Sequence, residues 1–321
     1  MATSEQIIRL IKAHNNNDNA KFKTIVLQIA AYEAKHSHEK IAKDLKKCAD
    51  SIDNKTSNIF SFNKNNINPL FSMSVENHKL NELIVCEEIE IRIKKILIEY
   101  KNRNKLKSFG MENRRKILIE GNPGTGKTFT AAVIASELGL PLYTVQVDKL
   151  VSKFMGETSV KLRQIFDSIE NSLGVYFFDE FDAIGADRNF DNEVGEMRRI
   201  LNAFLQFIEQ DSSESIIIAA TNNSKLLDHA LFRRFDDVLH YSMPSENEIE
   251  KIYYKKFALI ESNFTPSSTL IKQTLNLSHA EIIRVCDNAL KDSILENSKI
   301  TDSKLFNLIK ERRTACHSNN T

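Results

Sequence analysis

Gly121-Asn122-Pro123-Gly124-Thr125-Gly126-Lys127-Thr128, entered from the apolar run Lys116-Ile117-Leu118-Ile119-Glu120, is the stretch that decides the fold. Its glycines let the backbone turn with N–H groups converging on phosphate oxygens, Lys127 brings charge to the β- and γ-phosphates, and the Thr128 hydroxyl suits Mg²⁺. Phe129 to Leu138, rich in alanine, has the composition and length of a helix, and its positive N-terminus would face the anion. A strand before and a helix after are the context such a loop requires. Residues 121–128, with Phe129 after them, are therefore the candidate nucleotide-binding set.

About fifty residues further on, Val175-Tyr176-Phe177-Phe178 reads as a buried parallel strand that delivers Asp179 and Glu180 at its C-terminal end. An Asp-Glu pair at that place is suited to hold Mg²⁺ through Asp179 and to polarise an attacking water through Glu180, because phosphoryl transfer rests on positioning and charge stabilisation. A third buried-strand pattern, Ile216-Ile217-Ile218-Ala219-Ala220-Thr221, ends at Asn222. Leu227-Asp228-His229-Ala230-Leu231-Phe232-Arg233-Arg234-Phe235-Asp236 follows it.

With these motifs together, residues 75 to 290 resemble the AAA ATPases of the AAA+ superfamily, in the clade that carries a second region of homology. The resemblance implies an α/β fold: a P-loop NTPase parallel sheet flanked by helices, a small helical lid and, here, a helical N-terminal domain. It implies ATP and Mg²⁺ as cofactors, Asn222 as a sensor of the γ-phosphate, and Arg233 and Arg234 as groups reaching a neighbouring subunit's nucleotide. Arginine suits that task through its fixed charge and planar fork. Ile84 and Val85 stand where the family packs its adenine, and Ala280 lies near the nucleotide. Phe154 and Met155, within Lys153-Phe154-Met155-Gly156, look like the family's first pore loop, in which an aromatic and a flexible thioether grip a polypeptide without reading its sequence. Ala186 to Glu196 is a polar loop placed to line the lower channel. Glu209, Gln210 and Asp211 occupy the helix end at which the family signals between subunits.

The lid departs from the family at Asn276-Leu277-Ser278-His279-Ala280-Glu281, where Asn276 and His279 replace glycines of a turn. A residue with a Cβ resists positive φ, so the turn should differ. Arg284, one helical turn past Ala280, is placed either toward the phosphates or on the surface.

Breaks in pattern divide the chain into a helical N-terminal partner-binding domain over 1–50, a linker over 51–74 rich in Asn and Ser, an ATPase large α/β subdomain over 75–244, a helical lid over 245–312 and a tail over 313–321. The pattern of the first 50 residues, with Gly195 to Asn202, is similar to bacterial AAA proteins associated with a subtilisin-like serine protease. No His-Glu-x-x-His metal motif occurs in the sequence, unlike the family's fused membrane proteases.

Composition narrows the classes. The 321 residues carry a formal net charge of +1 and no basic stripe, which argues against nucleic acid as a partner. The four cysteines form no metal-like pair, in keeping with reduced thiols and a cytoplasmic protein. No apolar run approaches the roughly 18 residues of a bilayer span. The reading that follows is an ATP-driven remodeller of polypeptides working as a homo-oligomer, a hexameric ring by resemblance. The alternative is an ATP-controlled scaffold that regulates a partner without threading it.

Overall fold

The computed structural model describes residues 19–35, 43–45, 69–150, 157–181, 193–222, 232–258 and 264–317. The chain falls into two compact units, Met1–Ile67 and Asn68–Thr321. In the first unit a helix, α1, spans Asn19–Lys35 and buries Val26, Ile29 and Ala30, the spacing of one helical face. The other N-terminal segments read as helical lie mostly outside the described residues.

The second unit is built on a six-stranded sheet: β1 Phe71–Ser74, β2 Lys116–Gly121, β3 Leu142–Val145, β4 Val175–Phe178, β5 Ile216–Thr221 and β6 Asp237–Tyr241. Their spatial order is β1-β3-β4-β5-β2-β6, and every pairing is parallel except β1 with β3. β1 takes up the end of the segment expected as linker: its four residues pair with Leu142–Val145 and close that edge of the sheet. Its short length and polar flanks hide it in the sequence, because a four-residue edge strand needs only one partner and one buried face.

The three apolar runs are continuous because both faces of the sheet are covered. Leu118, Tyr176, Phe178, Ile217 and Ala219 join one core, with Phe166 of helix α4 (Glu157–Asn171) and Phe204 of α5 (Glu193–Gln210). The alternate residues Ile117, Ile119, Val175, Phe177, Ile216 and Ile218 join the opposite core, against α2 (Glu87–Lys101) and α3 (Lys127–Leu138). Aromatic rings stiffen the first core beneath the Asp179 turn: Phe181 lies 4.4 Å from Phe204, and Phe178 meets Phe204 edge-on at 5.1 Å.

Helices α6 (Glu246–Phe257), α7 (Ser268–Thr274), α8 (His279–Glu296) and α9 (Asp302–His317) form a lid with its own core, centred on Ile249, Tyr253, Phe257, Ile282 and Leu305. The last helix thus runs past residue 312 into the segment read as tail. Inside the lid the Tyr253 hydroxyl meets Thr274 Oγ1 at 2.8 Å, satisfying two buried polar groups at once. Both α6 and α8 open with complete capping boxes, Ser245 with Glu248 and Ser278 with Glu281.

The base of β2 is held by charge. Arg115 is buried and donates to both the carboxylate and the carbonyl oxygen of Asp211, whose side chain is 1% exposed. Of the residues at this helix end, Asp211 thus has its carboxylate bonded within the subunit, while Glu209 is exposed. Removing one partner from a buried ion pair strands the other charge. Arg115→Met should lower stability by about 3–5 kcal/mol in urea unfolding, with part of the loss recovered when Asp211→Asn is added; an unchanged midpoint for the single variant would contradict the pairing.

Candidate functional site

Parallel pairing brings the ends of three strands side by side. Glu120 lies opposite Thr221 and Phe178 opposite Ala219, so the loop after β2, Asp179 after β4 and Asn222 after β5 emerge at one edge. There they line a cavity of about 770 Å³, within the usual size for a small-molecule site.

The glycine-rich loop adopts the conformations its composition allows. Gly124 and Gly126 have φ of +76° and +102°, and Gly126 leads directly into α3. Gly121 passes so close to the Tyr241 backbone that a Cβ there would lie 2.4 Å from the Tyr241 carbonyl oxygen. The Lys127 ammonium donates to the carbonyls of Gly121 and Asn122, at 2.7 and 2.9 Å, and to Asn222 Oδ1 at 2.7 Å. These acceptors carry no formal charge, so an arriving phosphate oxygen is a stronger competitor for the same donors. Thr128 Oγ1 donates to Asp179 Oδ2 at 2.9 Å, which sets a hydroxyl and a carboxylate oxygen together at the mouth of the loop. Such hard oxygen donors, with room for water, fit Mg²⁺. Glu180 holds φ at +50°, a conformation uncommon outside glycine and asparagine, and its amide donates to Asp179 Oδ1 at 2.9 Å. That backbone turn carries the Glu180 side chain into the cavity lining.

A strap before α2 closes one side. His78 N donates to Ser136 Oγ and Leu80 N to Glu137 Oε1, at 2.9 and 2.8 Å, pinning the strap on α3; the His78 ring meets Phe129 edge-on at 4.9 Å. Glu82, Leu83 and Ile84 then line the cavity. Val85, expected beside Ile84, is instead only 6% exposed, absent from the lining and packed into the core under α2. Gly121 and Asn122 likewise stand behind the lining, while residues 123–129 form it.

The lid closes the other side through Ile252, Lys255, Lys256, His279, Ala280 and Ile283. It is tied to the loop by a backbone bond from the Ala280 amide to the Gly124 carbonyl at 2.9 Å. The turn before it solves the missing-glycine problem unequally. Asn276 accepts φ of +70°, as asparagine does more readily than most residues, whereas His279 is the first residue of α8 and needs no positive φ. Burial lowers the His279 pKa, with the Glu248 carboxylate pulling part of the way back, so the ring is neutral near pH 7. Burial similarly lowers that of Lys255, opposed by Glu82. Reading the sequence missed Lys255, Lys256 and His279 as lining; the Ser278-x-x-Glu281 capping pattern is the signal that would have placed His279 at a helix start.

Arg233 is exposed and Arg234 half-buried, and neither lines the cavity of its own subunit; Arg234 Nε lies 3.3 Å from Glu209 Oε2. Their segment is clamped to the base of β2. The Asp236 carboxylate accepts from the amides of Arg115 and Lys116, each at 2.9 Å, and Asp237 accepts from Arg92 and, at 3.0 Å, from Arg114 Nη1. Arg284 is exposed and stands apart from the lining. Phe154, Met155 and the polar loop up to 192 lie outside the described residues.

The model of the ATPase family associated with various cellular activities (AAA) matches residues 117–243. An uncharacterized AAA family ATPase, y4kL, of Sinorhizobium fredii is 32% identical over 315 residues, 96% of this chain and 94% of the relative. A putative 26S proteasome regulatory subunit homolog of Methanothermobacter thermautotrophicus is 28% identical over 246 residues, 74% of this chain and 64% of its own. An ATP-dependent zinc metalloprotease FtsH of Mycoplasmopsis synoviae is 34% identical over 223 residues, 67% of this chain. The chain thus spans just under two thirds of the second relative and 33% of the third.

At Gly124 an added Cβ would sit 2.6 Å from Ser278 Oγ, at a φ that resists any side chain. Gly124→Ala should therefore leave the sheet folded, loosen the lid and weaken nucleotide binding by about tenfold or more in titration calorimetry; wild-type affinity would show that the lid contact is dispensable.

Proposed function

The chain belongs to the AAA family of ATPases, and from that membership we propose that it hydrolyses ATP as a ring oligomer, a hexamer, and uses the cycle to remodel polypeptides. The observation that carries the ATPase half is the juxtaposition of Thr128 Oγ1 and Asp179 Oδ2 at 2.9 Å beside a lysine that already reaches Asn222. In this reading residues 121–129 bind the phosphates, with Lys127 transferring its donors from neutral carbonyls to the charged γ-phosphate. Asn222 loses or shifts its bond to Lys127 in the same event, which makes it sensitive to whether the γ-phosphate is present. Thr128 and Asp179 hold Mg²⁺, which when bound offsets the charge that phosphoryl transfer develops. Glu180, carried inward by its left-handed backbone, orients the attacking water. Ile84 and Ala280 flank the nucleotide from strap and lid.

Arg233 and Arg234 complete the site of an adjacent subunit. Supporting this, they lie outside their own subunit's cavity, and the Asp236 and Asp237 clamp holds their segment at a set place at the end of the sheet next to β2. Glu209 then links the arginine to the end of α5, so nucleotide state in one subunit bears on the position of a helix in the next. Phe154 and Met155 grip the polypeptide in the axial channel. The relatives named as a proteasome regulatory subunit homolog and a metalloprotease favour work beside a protease, and residues 1–50 are the segment we assign to partner binding, a subtilisin-like protease among the candidates.

Two variants in one turnover assay test the hydrolytic site. Glu180→Gln should bind ATP normally and hydrolyse it at least about 100-fold more slowly, and Arg234→Ala should bind ATP while losing the turnover that rises with protein concentration, a loss on the order of 10³ for a complete finger. Wild-type rates in either would remove that residue from its role. Phe154→Ala tests remodelling: ATPase activity should persist while unfolding of a tagged model substrate stops, and unimpaired unfolding would end the threading reading.

A further inference from the structure

Strap and lid are joined by a side chain to which the hydrolytic site gives no task. Lys255, in the last turn of α6, donates from its ammonium to the carbonyl oxygen of Asn81 at 2.5 Å. Asn81 lies within the single turn Leu80–Glu82 of the strap, and Lys255 and Glu82 both line the cavity. The bond therefore belongs to the cavity wall, at the seam where strap and lid meet. Ile84, further along the strap, packs against the lid core and continues that seam as an apolar contact.

Where the bond sits decides what it can do. The Ala280 amide fastens the start of α8 to the phosphate loop, whereas Lys256, next to Lys255, pairs with Asp287 two turns further along α8 at 2.8 Å. That separation is roughly 10 Å along the helix axis, so Lys255 holds the lid at the end remote from the phosphate loop. The strap is in turn pinned to α3, the helix that the loop opens, through Ser136 and Glu137. Lifting the lid from the strap breaks the Lys255 bond. A bond from an ionised donor is stronger than one between neutral groups, and burial has taken from this ammonium part of its water, an effect that Glu82 opposes.

We propose that Lys255 is a positioning residue of this chain, whose ammonium clasps the lid to the strap over a bound nucleotide and sets how long that nucleotide stays. The inference rests on the nucleotide reading of the cavity. It assigns Lys255 no contact with the phosphates: the residue acts through the Asn81 carbonyl, by holding the far end of the lid in place.

Stopped-flow release of fluorescent ADP and of a fluorescent, non-hydrolysable ATP analogue, with Mg²⁺ throughout, tests it on the full chain as wild type, Lys255→Met and Lys255→Arg. Lys255→Met keeps an apolar stem and removes the donor. It should release both nucleotides about three- to tenfold faster with association unchanged, and Lys255→Arg, which keeps a charged donor, should recover part of that factor. Thermal unfolding of the nucleotide-free Lys255→Met chain should match wild type, because the side chain is exposed and the lid has its own core. Release from Lys255→Met at the wild-type rate overturns the proposal. So does acceleration confined to the triphosphate, which would put Lys255 on the phosphates, and so does a lowered unfolding midpoint, which would assign the effect to folding. A wild-type chain that binds neither nucleotide would instead bring down the nucleotide reading itself.

Discussion

The register of three parallel strands is the constraint on which the site depends. β2 pairs with β5, and β5 with β4, so the phosphate loop, Asn222 and the Asp179-Glu180 turn leave the sheet as neighbours although about a hundred residues separate the first from the second. A slip of one residue in a parallel pair would turn every side chain to the opposite face. Here that slip would exchange Leu118 and Ile117 between two separately packed cores, and the aromatic cluster of Phe166, Phe178, Phe181 and Phe204 under the Asp179 turn would lose its fit. Packing on both faces therefore holds the chemistry at the edge. The strained turn at Glu180 is tolerated because Phe178 and Phe181, on either side of it, are fully buried.

A second layer of order is electrostatic and lies at the far end of β2. Arg114, Arg115 and Lys116 meet Asp211, Asp236 and Asp237 through side chains and amides. These aspartates come from two places: the end of α5 and the segment carrying Arg233 and Arg234. The strand that delivers the phosphate loop is thus tied at its base to the helix and the arginines that, in the proposed ring, face the next subunit. The buried Arg115–Asp211 pair makes that base costly to move.

The lid is a packed body of its own that meets both the phosphate loop and the strap. It has a core of its own, capped helices and an internal hydroxyl pair; it meets the phosphate loop through the backbone bond from Ala280 to Gly124 and the strap through Lys255, whose ammonium donates to the Asn81 carbonyl, and through Ile84 packed on its core. Gly124 is needed at that joint for two reasons at once, its positive φ and the closeness of Ser278.

Much of this was legible in the order of residues. The phosphate loop, the two acidic residues after an apolar run, and the three strands all announce themselves, because local chemistry demands glycine, lysine and carboxylate at those spacings, and full burial demands unbroken apolar runs. What escaped was set by distance in sequence rather than by local preference. β1 is too short to carry a pattern and exists because β3 offers it an edge. Val85 turns to the core while Ile84 turns to the cavity, a choice made by α2. The Asp211 charge is taken up by Arg115, 96 positions away, a pairing no local pattern announces. His279 stands where a glycine is expected, yet it is the first residue of a capped helix and lines the cavity. The sequence alone determined which chemistry the chain can carry, since residue types and short spacings decide that. Only the tertiary structure decided which faces meet and which polar groups are left without partners, because long-range pairing and burial settle those and neither is written in any single stretch.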